Sequence, residues 1–159
     1  MPGHAPDSTI TPAGQDDIPA LCDLLAVLFS QEAEFTPDRR AQATGLGRII
    51  DNPAIGHILV ARENGVPVAM VNLLYTVSTA LGARVAMLED MIVHPGAQGR
   101  GVGSRLLAYA IGFAADAGCR RITLLTDATN LAAQRFYTRH GFGYSTMIPM
   151  RRALDPATD

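Results

Sequence analysis

Apolar side chains recur every three or four positions through residues 18–30, Ile-Pro-Ala-Leu-Cys-Asp-Leu-Leu-Ala-Val-Leu-Phe-Ser, which predicts a helix with one buried side. Gln15-Asp16-Asp17 leads into it, and Ser8 to Thr11 before it reads as a short strand. A less regular helix is expected from Thr36-Pro37-Asp38 onward, with a threonine cap and a first-turn proline, weakened by Gly45 and Gly47. The pattern then turns extended. Residues 56–62 (GHILVAR) and 67–78 (PVAMVNLLYTVS) flank Asn64-Gly65, a pair that predicts a tight hairpin, and 84–93 (RVAMLEDMIV) is a third strand. Val102, Leu106, Ala110, Phe113 and Ala117 restore helical spacing from about Arg100 to Ala117, with Gly118 as the stop. Residues 120–126 (RRITLLT) return as a strand, 130–141 (NLAAQRFYTRHG) form a helix begun at Thr129 or Asn130 and ended by Gly141, and 142–150 (FGYSTMIPM) read as a closing strand. The order is strand, two helices, three strands, helix, strand, helix, strand. It implies a single mixed α/β domain over 8–154, with a flexible start at 1–7 and a tail at 155–159.

Composition narrows the function classes. Thirteen basic against 15 acidic residues leave no positive field for nucleic acid, and no apolar run approaches the roughly 20 residues a membrane span needs. The first residues lack a secretory signal, so the cytoplasm is expected. Cys22 and Cys119, with His4, His57, His94 and His140, show no metal-ligand spacing, so no metal is expected. All 13 basic residues are arginine and lysine is absent.

The segment that departs from ordinary composition is 93–104, Val-His-Pro-Gly-Ala-Gln-Gly-Arg-Gly-Val-Gly-Ser, which joins an apolar strand to a helix. A helix N-terminus carries unpaired N–H groups and about half a positive charge, and glycines let an anion come close. Gly96, Gly99, Gly101 and Gly103 supply that freedom, and Arg100 is a candidate charged clamp, so the expected ligand carries phosphates. A lysine-dependent phosphate loop is excluded by composition. A dinucleotide G-x-G-x-x-G/A loop fails at its last position, Ser104 or Leu106, and Asp127 is only loosely placed as its acid, which makes a nicotinamide-binding protein the weaker rival.

Gln98-x-x-Gly101-x-Gly103 after Val93-His94-Pro95, followed downstream by Asn130-x-x-Ala133-x-x-Phe136-Tyr137 and Gly141-Phe142, resembles the signature of the GCN5-related N-acetyltransferase family over most of the chain. The resemblance implies acetyl-CoA as co-substrate. Its diphosphate would lie on Gln98, Gly99, Arg100, Gly101, Val102, Gly103 and Ser104, and its pantetheine arm beside Met91, Ile92 and Val93. It also implies that Asn130 bonds that arm, that Ala133 leaves it room, and that Tyr137 reaches the thioester sulfur. Homodimers are common in the family. A non-catalytic acyl-CoA sensor is the alternative from a different class.

Asn130 and Tyr137, seven residues apart, differ by only roughly 20° around a helix and about 10 Å along it, so they share a face. A phenol can protonate the thiolate expelled when an amine attacks the thioester, which makes Tyr137 the candidate general acid. An amine of pKa near 10 is only about 0.1% neutral at pH 7, so a base is needed. Glu89 and Asp90 are the nearest carboxylates, on opposite strand faces unless a bulge intervenes. Leu88-Glu89-Asp90 resembles the run in members that acetylate small amines, which points to Glu89 as catalytic base or substrate anchor. Backbone N–H groups of Met91 to Val93 are candidate oxyanion donors. Glu32, Glu34, Phe35 and Asp38 form a candidate acidic rim for a cationic amine.

Overall fold

Asn64 and Gly65 both take left-handed backbone, with φ of 50° and 79°, as a two-residue hairpin turn requires. That turn folds β2 (Gly56–Glu63) antiparallel onto β3 (Val66–Ser78). The computed structural model describes residues 7–31 and 37–155. Among them β1 (Ser8–Pro12) pairs with β2 and β4 (Ala83–Val93) with β3, both antiparallel, while β5 (Ile122–Leu124) joins β4 in parallel. The result is a mixed five-stranded sheet in the order β1-β2-β3-β4-β5.

Alternation along the central strands sends their side chains to two cores. On one face Ile58, Val60, Met70 and Ile92 meet Leu21, Leu24 and Leu25 of α1 (Ile18–Ser30) and Leu46 of α2 (Arg39–Ile50). On the other, Leu59, Val71, Leu73 and Leu88 meet Val102, Leu106, Leu107 and Ala110 of α3 (Val102–Asp116), and Phe136 and Tyr137 of α4 (Leu131–Arg139) pack beside them. Four helices therefore flank the sheet, the α+β arrangement expected. The entry to α1 is tied down by a bidentate pair in which Arg62 donates to both oxygens of Asp17 at 2.6 and 2.7 Å.

The fifth strand is shorter than the expected 120–126, since only Ile122–Leu124 pair with β4, and three further features differ from expectation. The second helix starts later, because Asp38 caps it by accepting from Ala41 N–H at 3.1 Å, which leaves Pro37 outside the first turn. The third helix starts at Val102, with left-handed Gly101 as its cap residue. The closing strand does not form: residues 142–150 run irregularly and exposed, since no sheet edge pairs with their backbone. Of the acidic rim, Glu32, Glu34 and Phe35 lie outside the described residues, as do nearly all of the expected flexible start and tail.

At the far end of the sheet His57 sits edge-on to Phe113, with its Nδ1 2.7 Å from the Tyr75 hydroxyl, and Arg84 lies over the Tyr75 ring. Burial first, and the Arg84 charge second, hold the His57 imidazole below its ordinary pKa. The unfolded chain therefore takes up this proton first. The stability linked to neutral His57 is complete above about pH 6.5 and is lost as pH falls through the folded value. Melting temperatures should decline between about pH 7 and pH 5, and His57→Phe should flatten that decline. Equal slopes in the two proteins would assign the loss to other groups.

Candidate active site

One irregularity in β4 organises the site. Asn72 pairs with Glu89 and Met70 with Ile92, so Val71 alone stands opposite two residues, Asp90 and Met91. This is a β-bulge, and Asp90 carries its kink with a φ of 53°, unusual for any residue but glycine and best tolerated by Asp and Asn. The extra residue brings Glu89 and Asp90, which alternation would separate, to the wall of one cleft. It also coincides with the parting of the sheet, since β4 and β5 pair only through Ala86–Leu88 and Ile122–Leu124.

Beyond that point lies a cleft of about 680 Å³. Glu89, Asp90 and Met91 form one wall, and the opposite wall is residues 125–130 with Ala133 and Tyr137 of α4. Leu28 and Gln31 at the end of α1 and Pro149 and Arg151 of the terminal segment close its rim. Asn130 caps α4 by accepting from Ala133 N–H at 3.1 Å, which leaves its side-chain nitrogen as the donor for the cleft. Tyr137, half-buried against Phe142, has its phenol pushed up to about 12 by burial. Phe136 instead packs under α3, 3.6 Å from where a Cβ on Gly103 would stand.

The glycine loop lies at the other end of the same stretch of β4. His94 accepts from Gly96 N–H at 3.0 Å, and Gln98 donates to the Val93 carbonyl at 3.2 Å. Gly101 starts α3 at a φ of 76° with no side-chain cap, so the amides of Val102, Gly103 and Ser104 have none of the usual intrahelical or capping partners. A Cβ on Gly103 would stand 3.4 Å from Val93, an ordinary contact distance, so the helix end lies close against the strand. The side chains of Val102 and Ile92 are buried in the cores, which confines both to backbone contacts. Arg100 donates to Glu63 at 2.9 Å and so leans toward β2.

Two residues went unnoticed in the sequence. Arg105, one turn into α3, donates to the Arg100 carbonyl at 3.1 Å and lies over Gly101, a second cation at the mouth of the loop. Asn72, only 3% exposed, donates to the Asp90 carboxylate at 2.6 Å and so orients it. A lone amide inside the apolar run Val-Asn-Leu-Leu was the available signal. Among the described residues no group of three or more His, Cys, Asp or Glu side chains could hold a metal ion, and no helix is long and apolar enough to cross a membrane.

Known proteins resemble this chain in sequence and in fold. The chain is 32% identical over 126 residues to an uncharacterised N-acetyltransferase, YhfO, of Bacillus subtilis, covering 77% of this chain and 83% of that one. A solved protein of Agrobacterium tumefaciens superposes with a TM-score of 0.77 at 32% identity, over 91% of this chain and 99% of its own. The aminoglycoside N-acetyltransferase AAC(6')-Iy, solved in complex with CoA, shares the fold with a TM-score of 0.79 at 18% identity, over 96% and 99% of the two chains. Residues 18–142 match the acetyltransferase (GNAT) family, and the chain belongs to that family.

Proposed function

We propose that this protein transfers the acetyl group of acetyl-CoA to the primary amine of a small molecule, by direct attack with both substrates in the cleft. The carrying observation is that an uncapped helix N-terminus and a cleft with paired carboxylates and a phenol lie at opposite ends of residues 89–93. That stretch is roughly 13 Å of extended strand, along which an extended arm can bridge the two. The complex of the aminoglycoside acetyltransferase with CoA supports the choice of co-substrate. Dependence on acetyl-CoA also favours the cytoplasm.

The bound co-substrate supplies an activated thioester carbonyl. The amides of residues 99–104 receive its diphosphate, with Arg100 and Arg105 as cations beside it. Backbone N–H groups alternate sides along β4, and because His94 N–H bonds the Val68 carbonyl of β3, that of Ile92 turns to β3 as well. The N–H groups of Met91 and Val93 would be left for the thioester oxygen, with Asn130 and Ala133 flanking the arm. Glu89, directly or through water, takes the proton of the incoming ammonium, while Asp90, held by Asn72, adds negative charge that attracts it. Tyr137 donates its O–H to the departing sulfur. With a pKa of about 12 it remains protonated throughout the working range. A thiol is the stronger acid, so the phenol stabilises the leaving group by hydrogen bonding, and the net proton comes from the amine.

Gly101→Val would force a branched side chain into left-handed backbone, and calorimetry should show acetyl-CoA affinity falling by about tenfold or more. Tyr137→Phe should lower kcat by about a hundredfold with little change in acetyl-CoA affinity. In the unmodified enzyme, initial rates corrected for thioester hydrolysis should hold through about pH 10, where an ordinary phenol is half ionised. A decline centred there that vanishes in the Phe variant would contradict the raised pKa. Glu89→Gln should depress kcat/KM for the amine most strongly at low pH, again with acetyl-CoA affinity intact. A thiol-release screen across an amine library tests the whole reading: tight acetyl-CoA binding without turnover on any amine would leave an acyl-CoA sensor instead.

A further inference from the structure

The cleft carries charge of both signs. Glu89 and Asp90 stand on its β4 wall. Asp127 lies opposite, where its Oδ1 accepts from both the amide and the hydroxyl of Thr129 and so serves the turn into α4. Among the described residues that line the cleft, Arg151 is the one cation. Residues 141–150 carry no charge, so Arg151 does not belong to a run of charged surface. The segment is tied to α4 by the Tyr144 hydroxyl, which donates to the Gln134 side chain at 3.0 Å, and it returns so that Pro149 and Arg151 line the rim. Lysine is absent from the chain, so this arginine is distinguished by its position and not by its type.

We infer that the acceptor is an amine that also bears an oxyanion, a carboxylate or phosphonate on a short chain, and that Arg151 is the residue that selects it. This assignment rests on the acetyl-transfer reading of the cleft and names the substrate class within it. With the ammonium at Glu89 and Asp90, the other end of the acceptor meets the rim. There the guanidinium offers a planar fork of N–H donors that an oxyanion can accept two at a time. A diamine would instead bring its second ammonium against a like charge. Orientation follows from the same groups. Asn72 donates to the Asp90 carboxylate at 2.6 Å and so holds negative charge on the β4 wall. An acceptor bound in reverse would set its oxyanion against Glu89 and Asp90, so the opposed charges direct the amine toward the thioester. The cleft of about 680 Å³ must also admit the end of the co-substrate arm, which limits the acceptor to a small molecule.

Thiol release from acetyl-CoA should give kcat/KM about tenfold or more higher for aminopropylphosphonate or γ-aminobutyrate than for butylamine or putrescine, and the two anionic arms tell phosphonate from carboxylate. Arg151 is exposed, so its replacement leaves the fold intact. Arg151→Gln should cut that ratio by about tenfold, with the loss in KM, and Arg151→Glu should turn the preference toward putrescine. Calorimetry on the CoA-loaded protein reads the same contrast without turnover and so separates the two claims. If no amine is acetylated, acetyl transfer fails, and anionic amines that still bind in preference to butylamine uphold the selectivity of the cleft. If butylamine or putrescine is the best acceptor, or binds as tightly as the anionic amines, the assignment is overturned while acetyl transfer stands. A preference for anionic amines that persists in Arg151→Gln overturns it as well.

Discussion

The site depends on one inserted residue. A regular β4 would direct Glu89 and Asp90 to opposite faces and continue its pairing with β5. With the bulge, both residues line the same cleft and pairing stops at Leu88. Strands that part inside a sheet leave backbone groups without neighbours, in a place where side chains from α1 and α4 also converge. A polar ligand can complete that backbone, and a simple surface groove has no such unfilled positions. The left-handed Asp90 carries the strain, and the amide of buried Asn72 holds it in place.

The parts of the molecule legible in sequence are those whose cause is local. Helix period, the Asn64-Gly65 turn and the glycine loop all follow from backbone preferences of a few adjacent residues, and each appears where expected. The shared face of Asn130 and Tyr137 follows from helix geometry alone, and the cleft contains both. What could not be read depends on distant neighbours. The bulge is a property of pairing between β3 and β4, and Leu-Glu-Asp-Met has no residue that requires it. Residues 142–150 have strand-like composition, yet a strand exists only where an edge accepts it. The start of α2 was misplaced because threonine and aspartate are both good caps, and the choice fell to Asp38.

Electrostatics shows the same division. That Tyr137 could donate a proton was evident from its chemistry, but its pKa depends on how completely the surrounding chain excludes water, and burial raises it to about 12. Likewise Arg100 was visible as a cation in the loop, while its bond to Glu63 on β2 was not. Arg105 lies one turn beyond the loop motif, and folding alone returns it over Gly101.

The bare start of α3 has a consequence for how the protein behaves without its ligand. A serine or aspartate cap holds a first helical turn by about 1 kcal/mol from extended backbone, but the left-handed φ of 76° at position 101 favours glycine, and a capping oxygen would compete with an anion for the same amides. Glycine leaves that turn without a side-chain cap, and under the proposed function the co-substrate's diphosphate would serve as one. Firmness of that turn without a ligand and openness of its amides to an anion are thus set against each other, and glycine at 101 favours the second.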